Sequence, residues 1–177
     1  MAASNYRQIG EGIVAEVGAV ANIGRVHLYQ RYAADLAKYL DFFRWTAPDG
    51  RSQVRGWVLT REAAREGLGS AASSQPGGFV PAGVNRRAHT FLLFGVMGLE
   101  DGTGSELAFQ DLVEAVCDRF RDNRALRLLD AQGAPRVATL ERLQPPRVDA
   151  VEARRFGAVL CHAAEIRIEA VERIARG

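Results

Sequence analysis

Lysine is almost missing from this chain: Lys38 is the only one, and the other basic residues are arginines. A phosphate-binding P-loop needs a lysine at the end of a glycine-rich turn to reach the phosphates. Lys38 follows Ala37, so that fold is excluded. The arginine bias fits bidentate ion pairing at interfaces. A GC-rich coding sequence is the simpler account. Cysteine is equally scarce. Cys117 and Cys161 each sit inside an apolar periodic segment, without a CxxC or a Cys/His cluster, and read as small buried hydrophobes. Long apolar runs are missing too. The longest, Phe91 to Leu99, is far too short to span a bilayer. The first residues carry no basic segment followed by an apolar run, so no signal peptide is expected. These features point to a reducing cytoplasm. Charge of one sign is also lacking: 23 basic residues against 21 acidic ones leave a formal net charge of +2. A dedicated nucleic-acid binder carries a denser basic face. Neither GxSxG nor HExxH occurs, and Gly67-x-Gly69 lacks the third glycine of a dinucleotide-binding turn.

The sequence has 177 residues, 47% of them apolar and 25% charged. That is enough to bury one core, and we read residues 1–177 as a single domain. Residues 4–21 predict a helix. Ile9, Ile13, Val17 and Val20 make one stripe, Ser4 is placed to cap it, and Gly10, Gly12 and Gly18 weaken it. Gly24 is placed to end it with a positive φ. Arg25–Tyr29 predicts a short extended segment and Ala33–Tyr39 a helix. Residues 41–60 predict a projecting β-hairpin around the turn Ala47-Pro48-Asp49-Gly50.

Gly67 to Val84, rich in Gly, Ala and Ser, reads as a long flexible loop. Phe79 and Val80 near its end form an apolar pair suited to docking. Arg86–Leu99 reads as a central strand, because Phe91, Leu93 and Met97 alternate with Leu92, Phe94 and Val96 and both faces are apolar. Thr103 and Glu106 form a T-x-x-E capping box for a helix running to about Asn123, with Phe109, Val113, Val116 and Phe120 on one side. Ala138–Leu143 predicts a strand broken by Pro145-Pro146, and Gly157–Val171 a long closing strand. The expected fold is α+β: an antiparallel or mixed sheet packed against two main helices.

No catalytic constellation emerges. His27, His89 and His162 stand alone on extended segments, where hydrogen-bonded structural histidines are the commoner outcome than metal ligands. Cys117 lies on a helix's apolar side, away from any base. Arg119, Arg121, Arg124 and Arg127 gather at a helix C-terminus, which the helix dipole alone favours. No aromatic platform interleaves them for nucleic-acid stacking. The residues therefore predict neither an enzyme, nor a cofactor, nor a metal.

Four stretches carry a family pattern. They are the N-terminal helix leading into Gly24-Arg25-Val26-His27 and Arg31-Tyr32; the hairpin with Arg55-Gly56-Trp57-Val58-Leu59-Thr60-Arg61; His89-Thr90-Phe91 to Gly98 with Ser105-Glu106-Leu107-Ala108-Phe109-Gln110 and its helix; and Val159-Leu160-Cys161-His162-Ala163-Ala164-Glu165-Ile166. Together they resemble the tail terminator, or tail completion, proteins of long-tailed bacteriophages and related prophages. The resemblance implies a small α+β domain that assembles as a hexameric ring on the head-proximal end of the tail tube. The ring stops tube polymerisation and presents a surface to the head connector. Implied partners are further copies of the chain, the tail tube protein and a head-completion protein, with DNA only in transit through the lumen. The implied location is the virion's tail–head junction, after assembly in host cytoplasm. The resemblance implies no catalytic residue. The candidate subunit contacts are Arg55 and Trp57 on the hairpin, Phe79 and Val80 in the loop, and Arg86 and Arg87 at the start of the central strand. Other readings are a different neck or tube-associated protein, or a small cytoplasmic ligand-binding domain.

Overall fold

The computed structural model describes residues 5–33, 35–66, 83–100, 102, 104–122, 126 and 139–176. They form an α+β fold, a mixed seven-stranded sheet with three helices. The chain starts with helix α1 (Asn5–Gly18), which buries Ile9, Ile13 and Val17 as the stripe predicts. Ser4 lies outside the described residues. Gly24 then turns the chain with φ +89°. A Cβ there would overlap the Arg55 carbonyl, so both the dihedral and the space require glycine.

Strand β1 (Arg25–His27) runs parallel to the later strand β3 (Ser52–Glu66) and makes the sheet mixed. Between them come the short helix α2 (Leu36–Asp41) and strand β2 (Arg44–Thr46). Asp35 caps α2 by accepting a 2.7 Å hydrogen bond from the Lys38 N–H. β2 pairs antiparallel with β3 across the Ala47–Arg51 turn, where the Asp49 carboxylate accepts from the Arg51 N–H at 3.0 Å. β3 does not stop at Thr60. It runs on to Glu66 past a bulge at Arg61/Ala63.

β4 (Gly83–Gly98) pairs with β3 on one side and with β7 (Val159–Arg176) on the other. It occupies the middle of the order β1-β3-β4-β7-β5, as its two-sided apolar pattern predicts. Phe91, Leu93 and Met97 face the main core, whereas Val96 and Phe94 belong to a second cluster on the opposite face. Two further strands share the outer edge of β7: β5 (Leu140–Leu143) near its end and β6 (Arg147–Phe156) near its start. β6 was not expected. It turns back into β7 through Gly157 and Ala158, so the closing strand is the second arm of a hairpin.

Helix α3 (Ser105–Asp122) lies beside α1 on the main-core face and buries Phe109, Leu112, Val113, Val116 and Phe120. Thr103 lies outside the described residues, and so do residues 67–82 of the expected loop, with Phe79 and Val80; the last two residues of that expected loop, Gly83 and Val84, instead begin β4, where they pair with β7. On the opposite face α2 and its flank cover part of the sheet: Leu40 and Phe43 pack with Val58, Val96, Phe156 and Cys161. The sheet is thus a middle layer with two different surroundings. No helix among the described residues is long and apolar enough to cross a membrane.

Candidate interface residues and buried polar pairs

Strand parity decides what the sequence-predicted contacts can offer. On β3, Trp57 and Leu59 point to the helices, while Val58 points to the other face. Trp57 is 1% exposed and stacks on Phe109 at 6.1 Å with the rings 17° apart. Its cross-strand neighbour is Gly95, where any Cβ would overlap the indole. Trp57 is therefore a core residue whose ring no neighbouring chain can touch, which corrects its reading as a contact. Arg55 remains at the surface margin. Its guanidinium lies 5.1 Å from the Trp45 ring, Nη2 donates to the Gln53 side chain at 3.0 Å, and Nη1 to the Asn22 carbonyl at 3.2 Å. Its Nε is buried without a partner among the described residues, and burial lowers its pKa. Arg51, Arg55, Glu100 and Ser105 help to line a cavity of about 300 Å³.

Arg86 donates to Glu141 at 2.7 Å, tying β4 to β5, and this bond holds the Glu141 carboxyl below its ordinary range. Arg87 pairs with Glu66 and lies 3.3 Å from Glu172. Arg55 and Arg87 do not meet. Arg55 sits opposite Met97, and the ten positions from Met97 back to Arg87 span roughly 30 Å of strand.

Two buried pairs join residues far apart in sequence. His89 and Glu172 are both fully buried and 3.0 Å apart. A carboxylate only accepts, so His89 Nε2 carries the proton and Nδ1 is a bare acceptor without a partner among the described residues. Burial pushes the His89 pKa down, outweighing the opposing pull of Glu172. The second pair is Ser105 and His162. Ser105 Oγ accepts from the Glu100 N–H at 2.8 Å, which leaves its own proton for His162 Nε2 at 2.9 Å. His162 stacks on Phe109 at 5.7 Å, continuing the column begun by Trp57. A cavity of about 350 Å³ adjoins the pair, lined by Gly104, Glu106, Gln110 and, from β6, Val151, Glu152 and Ala153. No carboxylate among the described residues bonds to His162, so the described residues supply no third member of a nucleophilic triad. The pair pins the start of α3 to β7. His27 is used in the same way, bonding the Phe42 carbonyl at 2.8 Å.

The cysteines are free and buried. Burial raises both thiol pKa values, that of Cys161 to about 11, so neither is a thiolate near neutrality. Arg119 is not a free basic end. It donates to the buried Glu16 at 2.6 Å and staples α3 to α1. Arg121 pairs with Asp118 and Glu114, while Arg124 and Arg127 lie outside the described residues. Among the described residues no group of three His, Cys, Asp or Glu side chains is placed to hold a metal ion.

Fold and site together define an α+β domain organised around a mixed sheet, with its buried polar side chains committed to tying elements together. No protein-family model matches this chain, and no curated protein matches it either.

Proposed function

We propose that this protein is a structural component of a phage or prophage virion, the tail terminator. In this reading its copies form a ring on the head-proximal end of the tail tube, stop tube growth and offer a surface to the head connector. One observation supports the reading most. The four stretches that carry the resemblance run from the N-terminal helix to Ile166, and they fall on one contiguous unit. They occupy β1, β3, β4 with α3, and β7, and these strands are successive neighbours in the sheet. The Trp57–Phe109–His162 column runs through β3, α3 and β7 and joins three of the four.

A ring protomer must offer two different patches, because a contact repeated by rotation is heterologous. Arg55 on the β2–β3 edge and the 67–84 loop with Phe79 and Val80 are candidate contacts to neighbours or to tube subunits. Arg86 and Arg87, at the far end of the sheet, are candidates for a second contact. The test is the solution mass of the purified protein by light scattering after size exclusion, alone and with isolated tail tubes. A species of about six times 19.3 kDa, or capture of the chain at tube ends, is the expected result. A chain that stays monomeric and ignores tube ends overturns the reading. It would favour a small-ligand protein using the cavity beside Ser105 and His162.

A further inference from the structure

We infer that the outer face of α3 and the segment around Tyr29–Arg44 are the two halves of one contact, through which this chain docks a second copy of itself head to tail. The inference rests on the ring reading and names its partner surfaces.

The first half is set by helical spacing. Leu107, Asp111, Glu114 and Asp118 fall at i, i+4, i+7 and i+11, a single stripe. It is directed away from the buried side of Phe109, Val113, Val116 and Phe120. All four residues are exposed. Leu107 is 68% exposed, an unusual place for a leucine in an otherwise acidic row. Arg121 answers Glu114 and Asp118 at one end, but Asp111 has no cationic partner among the described residues.

The second half lies across the sheet, on the face that α2 covers. Tyr29, Tyr32 and Leu36 are 60%, 83% and 51% exposed. Arg31 sits 4.2 Å from the Phe42 ring centre and 5.3 Å from that of Tyr29, and it donates to the Tyr29 hydroxyl at 2.6 Å. Its charge is held at the surface by rings rather than by a carboxylate. Arg25 bonds the Arg44 carbonyl, and neither Arg25 nor Arg31 has an acidic partner among the described residues. Tyrosine and arginine held in place by neighbouring rings are the side chains that interface centres favour.

Each half therefore has exposed apolar side chains and a charge that the described residues of its own chain leave unanswered, negative on one and positive on the other. Complementary charge of this kind selects the partner and its orientation. Because the halves lie on opposite faces of one sheet, a copy that uses one still offers the other. That is the geometry from which a ring closes.

The experiment uses the full chain and two surface variants, Leu107→Arg/Asp111→Arg and Arg25→Glu/Arg31→Glu, each first checked for a circular dichroism spectrum and melting point like the parent's. The parent is expected to form the ring, each variant alone to be monomeric, and an equimolar mixture to associate again, since each variant keeps one intact half. Variants that still form rings, or monomeric variants that fail to associate when mixed, overturn the inference while leaving the ring reading standing. A parent that is monomeric both alone and with tail tubes overturns the ring reading and this inference with it. Loss of tube capture with ring mass unchanged assigns the surface to the tube protein and also overturns it.

Discussion

His89 shows what a buried polar side chain contributes in this molecule. Its imidazole is enclosed by Phe91 at 6.1 Å, Glu172 and Arg87 from the neighbouring sheet positions, and it also feels the charge of Arg61. Neutral, it donates one hydrogen bond to Glu172. Protonated, it must hold a second charge beside two arginines. Its native pKa is therefore below the ordinary value, while the unfolded chain takes up the proton at about pH 6.5. The unfolded state binds more protons in that range, so stability falls as pH drops below about 6.5, by at most about 1.4 kcal/mol per pH unit from this group. His89→Gln keeps a donor for Glu172 and removes the titration. Urea unfolding between pH 7 and pH 5 is expected to show a shallower pH dependence in the variant. Equal slopes would assign the acid sensitivity to other groups. His89 is visible in sequence as a polar interruption in an apolar strand, whereas Glu172 lies just past the expected strand end at Val171, on a strand that runs on to Arg176. Their pairing across β4 and β7 is not visible there, because no local pattern encodes which positions face each other at a separation of 83 residues.

Elements with a strong, uninterrupted period are the ones sequence reading locates. α3 keeps its apolar stripe from Phe109 to Phe120, and β4 carries apolar residues on both faces, so their type and placement follow directly. β6 has neither property. Its residues Arg147–Phe156 are mostly charged or small, and a bulge at Val148/Ala150 breaks the alternation. It is a strand because β7 supplies a hydrogen-bonding partner, which is tertiary context rather than propensity. The candidate contacts divide the same way. Trp57 looks like an exposed aromatic on a hairpin, and only its register opposite Gly95 reveals it as core. The β3–β4 pair gives the 67–84 loop its own prediction. Glu66 already pairs with Arg87, and β4 is paired with β7 back to Gly83, so the pairing of β3, β4 and β7 described above is made by residues outside 68–82. Removing 68–82 is expected to leave the circular dichroism spectrum and melting point within a few degrees of the parent and to weaken ring formation. Rings and tails of normal mass after the deletion would assign the loop no part in assembly.

At the scale of the whole molecule, charge balance separates a ring that DNA passes through from a protein that holds DNA. The 23 basic and 21 acidic residues are interleaved, and most described arginines are answered within the chain: Arg86 by Glu141, Arg119 by Glu16, Arg154 by Glu152 and Glu165, Arg167 by Glu62 and Asp149. Paired arginines have little counterion release left to gain from phosphates, and each phosphate actually neutralised contributes close to one unit to the slope of log K against log salt. Duplex DNA is therefore expected to bind no more tightly than about 10 μM near 100 mM salt, with a slope corresponding to roughly one or two phosphates. Fluorescence anisotropy of a labelled duplex, titrated with the full chain from about 50 to 300 mM salt, measures both quantities, since screening changes steeply over that range. Submicromolar binding with a slope of five or more would mean that the arginines act together as a nucleic-acid face. A shallow slope and weak binding fit a lumen that lets DNA slide through without gripping it. In the same titration, ring mass followed by light scattering is expected to fall as salt rises, because the inferred contact sets the acidic row of α3 against a surface carrying Arg25 and Arg31, and exposed charges of this kind are screened by salt.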